Sequence, residues 1–363
     1  MTRTRPARIG LGVWALIVAL IALVVLTFLP TPYVIQRPGP VYDTLGAAAG
    51  SDGEQVPLIA IDGADTYETG GSLNLTTVQV VGNRERTPSW FELALAWMDS
   101  SRAVVPLDAV FPEGVTSEQR DQQNEMLMVD SQHEATAAAL HELGYDTGAS
   151  VEVVSAVEGS AADGVLEEGD LIEAIDGVEV TSASALRAAV QESEGDPVAL
   201  TIGRDGEQQQ IELTPQLDQS SAADTWLIGI SLTTEYDFPI DVTIQLDNVG
   251  GPSAGMMFAL GIVDELTPGE LTGGHDIAGT GTIDATGAVG PIGGIRQKLY
   301  GARDAGADYF LAPGSNCDEV VGHIPDGLTV ISTSTLEESL EAIEVIADDG
   351  DLDALPACTS DAS

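Results

Sequence analysis

Lysine is nearly absent from this chain of 363 residues: Lys298 stands alone, and arginine supplies the rest of the 13 basic side chains. Against them stand 58 acidic residues, for a formal charge of −45 at pH 7. A surface this anionic repels phosphate backbones and anionic lipid, which argues against a nucleic-acid-binding role. The plain reading of the acid excess is a solvated, salt-tolerant surface. Cysteine is scarce as well, with only Cys317 and Cys358. Outside the cytoplasm such a pair permits one disulfide tying down the C-terminal tail; two free buried thiols are the alternative. Neither cysteine has metal-site spacing. His133 and His141 share a helical stretch without an H-E-x-x-H pattern, so no metal is expected. A Walker A loop needs Gly-Lys-Ser/Thr, but the sole lysine precedes a leucine, so no ATPase is expected. The G-x-S-x-G elbow of Ser–His–Asp hydrolases is missing too, although His275, His323, Asp276 and Asp284 are present. An S-x-x-K arrangement fails at Ile295. "GTGTIDATG" lacks the third glycine and the strand–turn–helix setting of a dinucleotide site. No cofactor is therefore expected.

What is present begins with an uncharged run, Gly10 to Leu29. Twenty helical residues span about 30 Å, the thickness of a bilayer core. Arg3, Arg5 and Arg8 precede it, which predicts a cytoplasmic tail (1–9), a single transmembrane anchor (10–29) and an extracytoplasmic remainder. A cleaved signal peptide is the rival, but Thr27-Phe28-Leu29-Pro30 makes a poor cleavage site. The next stretch, 30–147, reads as a proline-rich stalk (Pro30 to Pro40) and an αβ segment. That segment holds a strand at Gly70–Gly82, a helix at Pro88–Asp99 and a helix at Asp130–Tyr145, with 100–129 left unassigned. Composition and this alternation place the chain in the α+β class, with two or three domains.

Residues Gly159 to Gln191 contain "GVLEEGDLIEAIDG", with turn chemistry at Gly169-Asp170 and Asp176-Gly177 around a short apolar strand. This run, with its flanking alternating strands, resembles a PDZ domain over 148–216. A small β-barrel-like domain of that kind takes a peptide as an added strand and captures its carboxylate in a backbone loop. The resemblance puts that loop at Thr147, Gly148, Ala149 and Ser150. A PDZ acting as a spacer is the plainer reading. Gln216 to Trp226 reads as a polar linker, and 217–346 as a last domain before an acidic tail, 347–363.

In that last domain an all-round apolar helix runs from about Ser253 to Leu266, too short for a second span. "GGPSAG" places Ser253 in its first turn, where free N–H groups and the helix dipole collect. A lone serine there is ordinarily an N-cap. Lys298 lies on a helix starting near Gly294, bordering the apolar stripe Ile295, Leu299, Ala302. A lysine beside a core ordinarily snorkels. In a chain that otherwise uses arginine, though, one lysine suggests an amine that must lose its proton.

"GGPSAG" followed by "PIGGIRQK" resembles the Lon-type α/β proteolytic domain, whose serine proteases use a Ser–Lys dyad. The resemblance implies Ser253 as nucleophile, Lys298 as base, Thr280 in "IAGTG" touching the dyad, and Gly251 and Pro252 shaping the turn. It extends through "GAVGPIGGIRQKLYGARDAGADYFLAP" and covers about 240–346. Lon often carries an acidic residue two before Gly-Pro-Ser; Gly250 directly precedes that triplet here, and the missing carboxylate bears on how the site is switched. The strand at 70–82 and helix at 130–143 resemble early elements of the same domain. Either the PDZ is inserted within it, or 60–145 forms a separate N-terminal domain. The whole resembles membrane-anchored, Lon-like PDZ proteases of bacteria. It implies an ATP-independent serine endopeptidase acting on unfolded or extended proteins outside the membrane, assembled as a homo-oligomer. An inactive PDZ scaffold tethering envelope proteins is the alternative.

Overall fold

The structure is a computed structural model that describes residues 11–49, 55–112, 114, 116–218, 225–246 and 249–359. Helix α1 (Leu11–Phe28) leads into strand β1 (Tyr33–Asp43), β2 (Ser72–Val81), helix α2 (Trp90–Trp97), β3 (Ala103–Pro106) and helix α3 (Ser117–Glu142). Then come β4 (Gly148–Ala156), β5 (Leu171–Ile175), α4 (Ala183–Glu192), β6 (Val198–Arg204), β7 (Glu207–Leu213) and β8 (Ile230–Asp237). The chain closes with α5 (Gly255–Leu266), β9 (Asp276–Gly279), α6 (Ile295–Asp304), β10 (Tyr309–Pro313), β11 (Thr329–Thr333) and α7 (Leu336–Ala347).

Two sheets organise these elements. The first has six strands in the order β11-β10-β9-β2-β1-β3. Its centre joins the two ends of the chain, since β9 pairs in parallel with β2, Ile277 opposite Leu73. The second runs β7-β6-β5-β4-β8, with Val178–Glu179 as a short extra strand on β5. It has its own core, including Val153, Ile172, Leu186, Leu200 and Ile202. The second sheet is thus threaded between strands of the first, and Gly148 and Asp237, where it begins and ends, are paired partners.

Helix α5 is buried from Gly255 to Asp264, which explains its unbroken apolar sequence. Long α3 starts at a full capping box, Thr116 with Gln119. Ala135, Ala138 and Ala139 lie in the core shared with α5, where small side chains let the helices approach closely.

Several expectations change here. Pro30 to Pro40 is no stalk: from Tyr33 onward it is β1, an inner strand. Its prolines fit because β3 pairs only with Tyr33–Gln36, and the ladder to β2 shifts between Pro38 and Val41. Residues 230–237 form β8, which pairs with β4 of the second sheet. The acidic tail is anchored where described: Leu352 and Leu355 pack on the core, and Ser332 N–H donates to Pro356 O at 2.8 Å. The tail 1–9 and Gly10 lie outside the described residues. Among the described residues no helix is long and apolar enough to cross a membrane; α1 has 18 residues.

Candidate active site

The loop 249–254 delivers Ser253 to the N-terminus of α5. Gly251 has φ +89°, a backbone region that disfavours side chains. Helix α3 holds this loop from both sides. Gly251 N–H donates to Asn124 O at 2.9 Å, and Ser131 Oγ donates to Pro252 O at 3.0 Å. Gly255 permits the approach, since a Cβ there would meet Ser131 Oγ at 2.8 Å. The peptide linking Pro252 to Ser253 is trans, so its C=O and N–H point oppositely. With the carbonyl held by α3, the Ser253 N–H faces away from that helix. Among the described residues, no backbone or side-chain acceptor meets the Ser253 or Ala254 N–H.

Lys298 comes from α6, whose first residues follow the left-handed Gly294. It is 2% exposed, on a helix whose Ile295 and Leu299 are fully buried. Nζ sits 2.8 Å from Ser253 Oγ and 2.7 Å from Thr280 Oγ. Thr280 is fully buried just after β9, and its hydroxyl donates to Ser253 O at 2.8 Å. The threonine proton is therefore committed, and its oxygen accepts from the amine. Once neutral, the amine directs an N–H at Thr280 and its lone pair at the serine hydroxyl. Burial pushes the Lys298 ammonium down to about 7. Among the described residues no carboxylate pairs with it, so desolvation acts unopposed despite the acid excess.

Beside this centre lies a cleft of about 1180 Å³. Gly250 and Gly293 line it, with Asn124 and Met128 of α3 on one side and Val78 and Val80 of β2 on another. Ser253 is partly buried and lies three residues past Gly250 of the lining. The histidines play no part: His275 pairs with Asp349 at 3.8 Å and meets the Tyr309 ring, while His323 bonds Val321 O. Cys317 and Cys358 are bonded to each other, and the described residues hold no cluster suited to a metal.

The expected carboxylate loop does not form at Thr147–Ser150. Gly148, Ala149 and Ser150 are already strand residues of β4, paired with Asp237, Tyr236 and Glu235, so that stretch is part of the ladder. Its outer neighbour β8 is the sheet's edge, flanked by α4. Both ends of that helix are pinned near β8: Ala183 N–H donates to Thr234 Oγ at 3.0 Å, and Gln191 Nε2 donates to Trp226 O at 2.8 Å. Before β8, Thr225–Leu227 pairs with Gln216–Asp218, and Ile228 and Gly229 (φ +78°) connect that short ladder to β8. Asn124 lies in the unassigned stretch 100–129 and Ser131 in the expected helix 130–145, where nothing local marked it as a partner of the loop. Helix α4 of the inserted unit also touches α3, where Glu134 accepts a hydrogen bond from Ser184. Burial raises the Glu134 carboxyl to about 7.

Residues 231–345 match the family described as the Lon protease (S16) C-terminal proteolytic domain, and 152–204 match the PDZ domain family. Lon protease 1 of Bacillus subtilis is 36% identical over 110 residues, which is 30% of this chain and 14% of that protein. Lon protease 2 of Thermus thermophilus is 40% identical over 105 residues, 29% of this chain and 13% of that protein. The chain thus spans about one seventh of the length of these curated relatives. The PDZ domain of an SdrC-like protein from Listeria monocytogenes is 29% identical, covering 23% of this chain and 85% of that one, with a TM-score of 0.21. A Lon-type proteolytic domain and a PDZ domain are present in this chain.

Proposed function

We propose that this protein is a serine-type endopeptidase working through Ser253 and Lys298. One observation carries the reading: a lysine amine, 2% exposed and without a carboxylate partner, lies 2.8 Å from a serine hydroxyl at a helix N-terminus. Ser253 Oγ attacks the carbonyl carbon of a peptide bond while neutral Lys298 takes the hydroxyl proton. The Ser253 and Ala254 N–H groups are placed to hold the resulting oxyanion. Lys298 then returns the proton to the leaving amine as the C–N bond breaks, leaving an acyl ester on Ser253. Water attacks that ester, its proton passing to Lys298; the bond from the acyl carbon to Oγ then breaks, Lys298 returns the proton to Ser253 Oγ, and the carboxylic acid product leaves. Thr280 keeps the amine turned toward Ser253 throughout.

Substrates are protein segments that enter the cleft in extended form. The sequence carries no ATP-binding motif to drive unfolding, so folded substrates would need to expose such a segment. The edge of β8 beside α4 can accept a peptide as an added strand. The apolar stretch 10–29, with arginines before it, supports anchoring in a membrane with the catalytic domain on the outer side. Helix α1, at about 27 Å, is a little shorter than a typical hydrocarbon core, a mismatch that local thinning accommodates.

A serine-directed phosphonate probe tests the reading on the purified full chain. Labelling should occur on the native protein, vanish in Ser253→Ala and fall to background in Lys298→Ala. An unlabelled native protein, or a Lys298→Ala variant labelled as fast as native, would overturn it in favour of an inactive scaffold.

A further inference from the structure

Helix α2 is apolar on two sides, and only one has a protein partner. Leu93 and Ala96 are buried against Ile35, with Val81 and Val104 packed around them. The outward side carries Phe91, Ala94, Leu95 and Met98, spaced i, i+3, i+4, i+7, with Trp97 beside them. Phe91 is 50% exposed, Leu95 49%, Trp97 64% and Met98 86%. Aromatic residues make up 5% of the chain, yet eight-residue α2 contains three of them. Its acidic residue, Glu92, is turned back into a capping box with Ser89. An exposed stripe of this composition calls for an occupant.

The neighbourhood of α2 identifies that occupant. Helix α1 touches α2. Just past α1, Pro30 bridges to Ser89, and Thr31 Oγ donates to Pro88 O at 2.8 Å. The first turn of α2 is therefore fixed at the exit of α1. Val13, Trp14, Leu16, Ile17, Val18 and Leu20 of α1 are all exposed. With Ala15 and Ala19, every residue from 12 to 21 is exposed, which covers the whole circumference of the helix, whereas a second protein copy would bury one stripe. Lipid is the medium that solvates an apolar helix on every side.

We propose that the outward face of α2 lies in the boundary between headgroups and acyl chains of a bilayer, beside the point where α1 leaves it. This rests on the anchoring stated above. Tryptophan, phenylalanine and leucine on a short amphipathic helix suit that depth. The contact orients the catalytic unit. Strands β1 and β3, under α2, also lead to the cleft: Gln36, paired with Ala103, lines it, and so does Val110 shortly after β3. That end of the cleft therefore faces the membrane, which favours extended segments emerging close to the lipid surface as substrates.

The test reconstitutes the full chain into phosphatidylcholine vesicles whose acyl chains are brominated either near the carbonyl or near the terminal methyl. Tryptophan emission of native protein is compared with Trp97→Phe and Trp14→Phe. The component removed by Trp97→Phe should be blue-shifted and quenched by the shallow bromines. Met98→Asp, at a position open enough to leave folding intact, should remove that quenching. If the Trp14 component is quenched and the Trp97 component is not, the anchoring stands and the inference falls. If neither is quenched, both fall. A blue shift of the Trp97 component that grows with protein density at fixed lipid type would assign the face to a second copy and overturn the proposal.

Discussion

Lys298 has a proton affinity set by dryness, and that gives its pH behaviour a definite sign. The unfolded chain keeps this proton up to about 10.5, and the folded chain releases it near 7. Between those values the unfolded state binds more protons, so stability rises with pH across the window. Below about 7 both states are protonated and the folded state carries the full burial penalty. At about 1.4 kcal/mol for each tenfold change in affinity, that penalty is on the order of 5 kcal/mol. Lys298→Met should therefore raise the melting temperature, more at pH 6 than at pH 10, where the penalty is almost gone. In the native enzyme, kcat/KM for a peptide should climb through pH 7 as the amine becomes neutral, a limb read from a pH–rate profile. Lys298→Arg should fold and show no cleavage, because a guanidinium does not give up its proton. An active arginine variant would remove the lysine from the mechanism. Thr280→Val keeps the volume but frees the amine to rotate; kcat should fall about 10- to 100-fold with KM little changed.

Helix α3 carries no reacting group, yet it holds the catalytic loop through Asn124 and Ser131. Removing the Ser131 hydroxyl lets the Pro252 carbonyl turn, and the Ser253 N–H turns with it. Ser131→Ala should lower kcat about tenfold, part of the loss seen when an oxyanion donor is removed. KM and the melting temperature should change far less, which steady-state kinetics and a thermal melt would resolve. The disulfide works at the same scale. It fastens Cys358 to Cys317, a few residues past β10, and Cys358→Ser should cost about 2–4 kcal/mol in denaturant unfolding while leaving turnover at 25 °C intact. What the sequence revealed follows the same division. Ser253, Thr280 and Lys298 could be singled out because "GGPSAG", "IAGTG" and "PIGGIRQK" are short runs that resemble a known family; that the three side chains meet is seen only in the fold. Asn124 and Ser131 were not, because their roles depend on a helix from one end of the chain meeting a loop from the other. The prolines of β1 suggested a stalk since edge pairing cannot be seen from composition. The two cysteines were noticed from their number, but their bond needed the segment after β10 and the tail to meet.

At the scale of the molecule, one sheet is made from both ends of the chain and another is inserted between them. The inserted unit leaves where it enters, at paired Gly148 and Asp237. Replacing 148–237 by a two-residue link should therefore keep the first sheet and the dyad. Hydrolysis of a short fluorogenic peptide should stay within about threefold, as insertions at closely spaced ends permit, while a substrate selected by its C-terminal end should be lost. A collapse of short-peptide hydrolysis would show that the catalytic loop needs the insert. Glu134 joins the two units with a carboxyl that holds its proton to about 7, against about 4.5 when unfolded. Its contribution is present below 4.5 and is lost as pH rises to 7, so Glu134→Gln should stabilise the protein at pH 8 and hardly at pH 4. The pairing of β2 with β9 also has a temporal meaning. During synthesis, the strand ending at Val81 must wait for Asp276, with the whole insert made in between. A nascent chain thus has no assembled nucleophile and base until nearly all of it has emerged. An unfinished copy of this chain therefore carries no assembled Ser253–Lys298 pair.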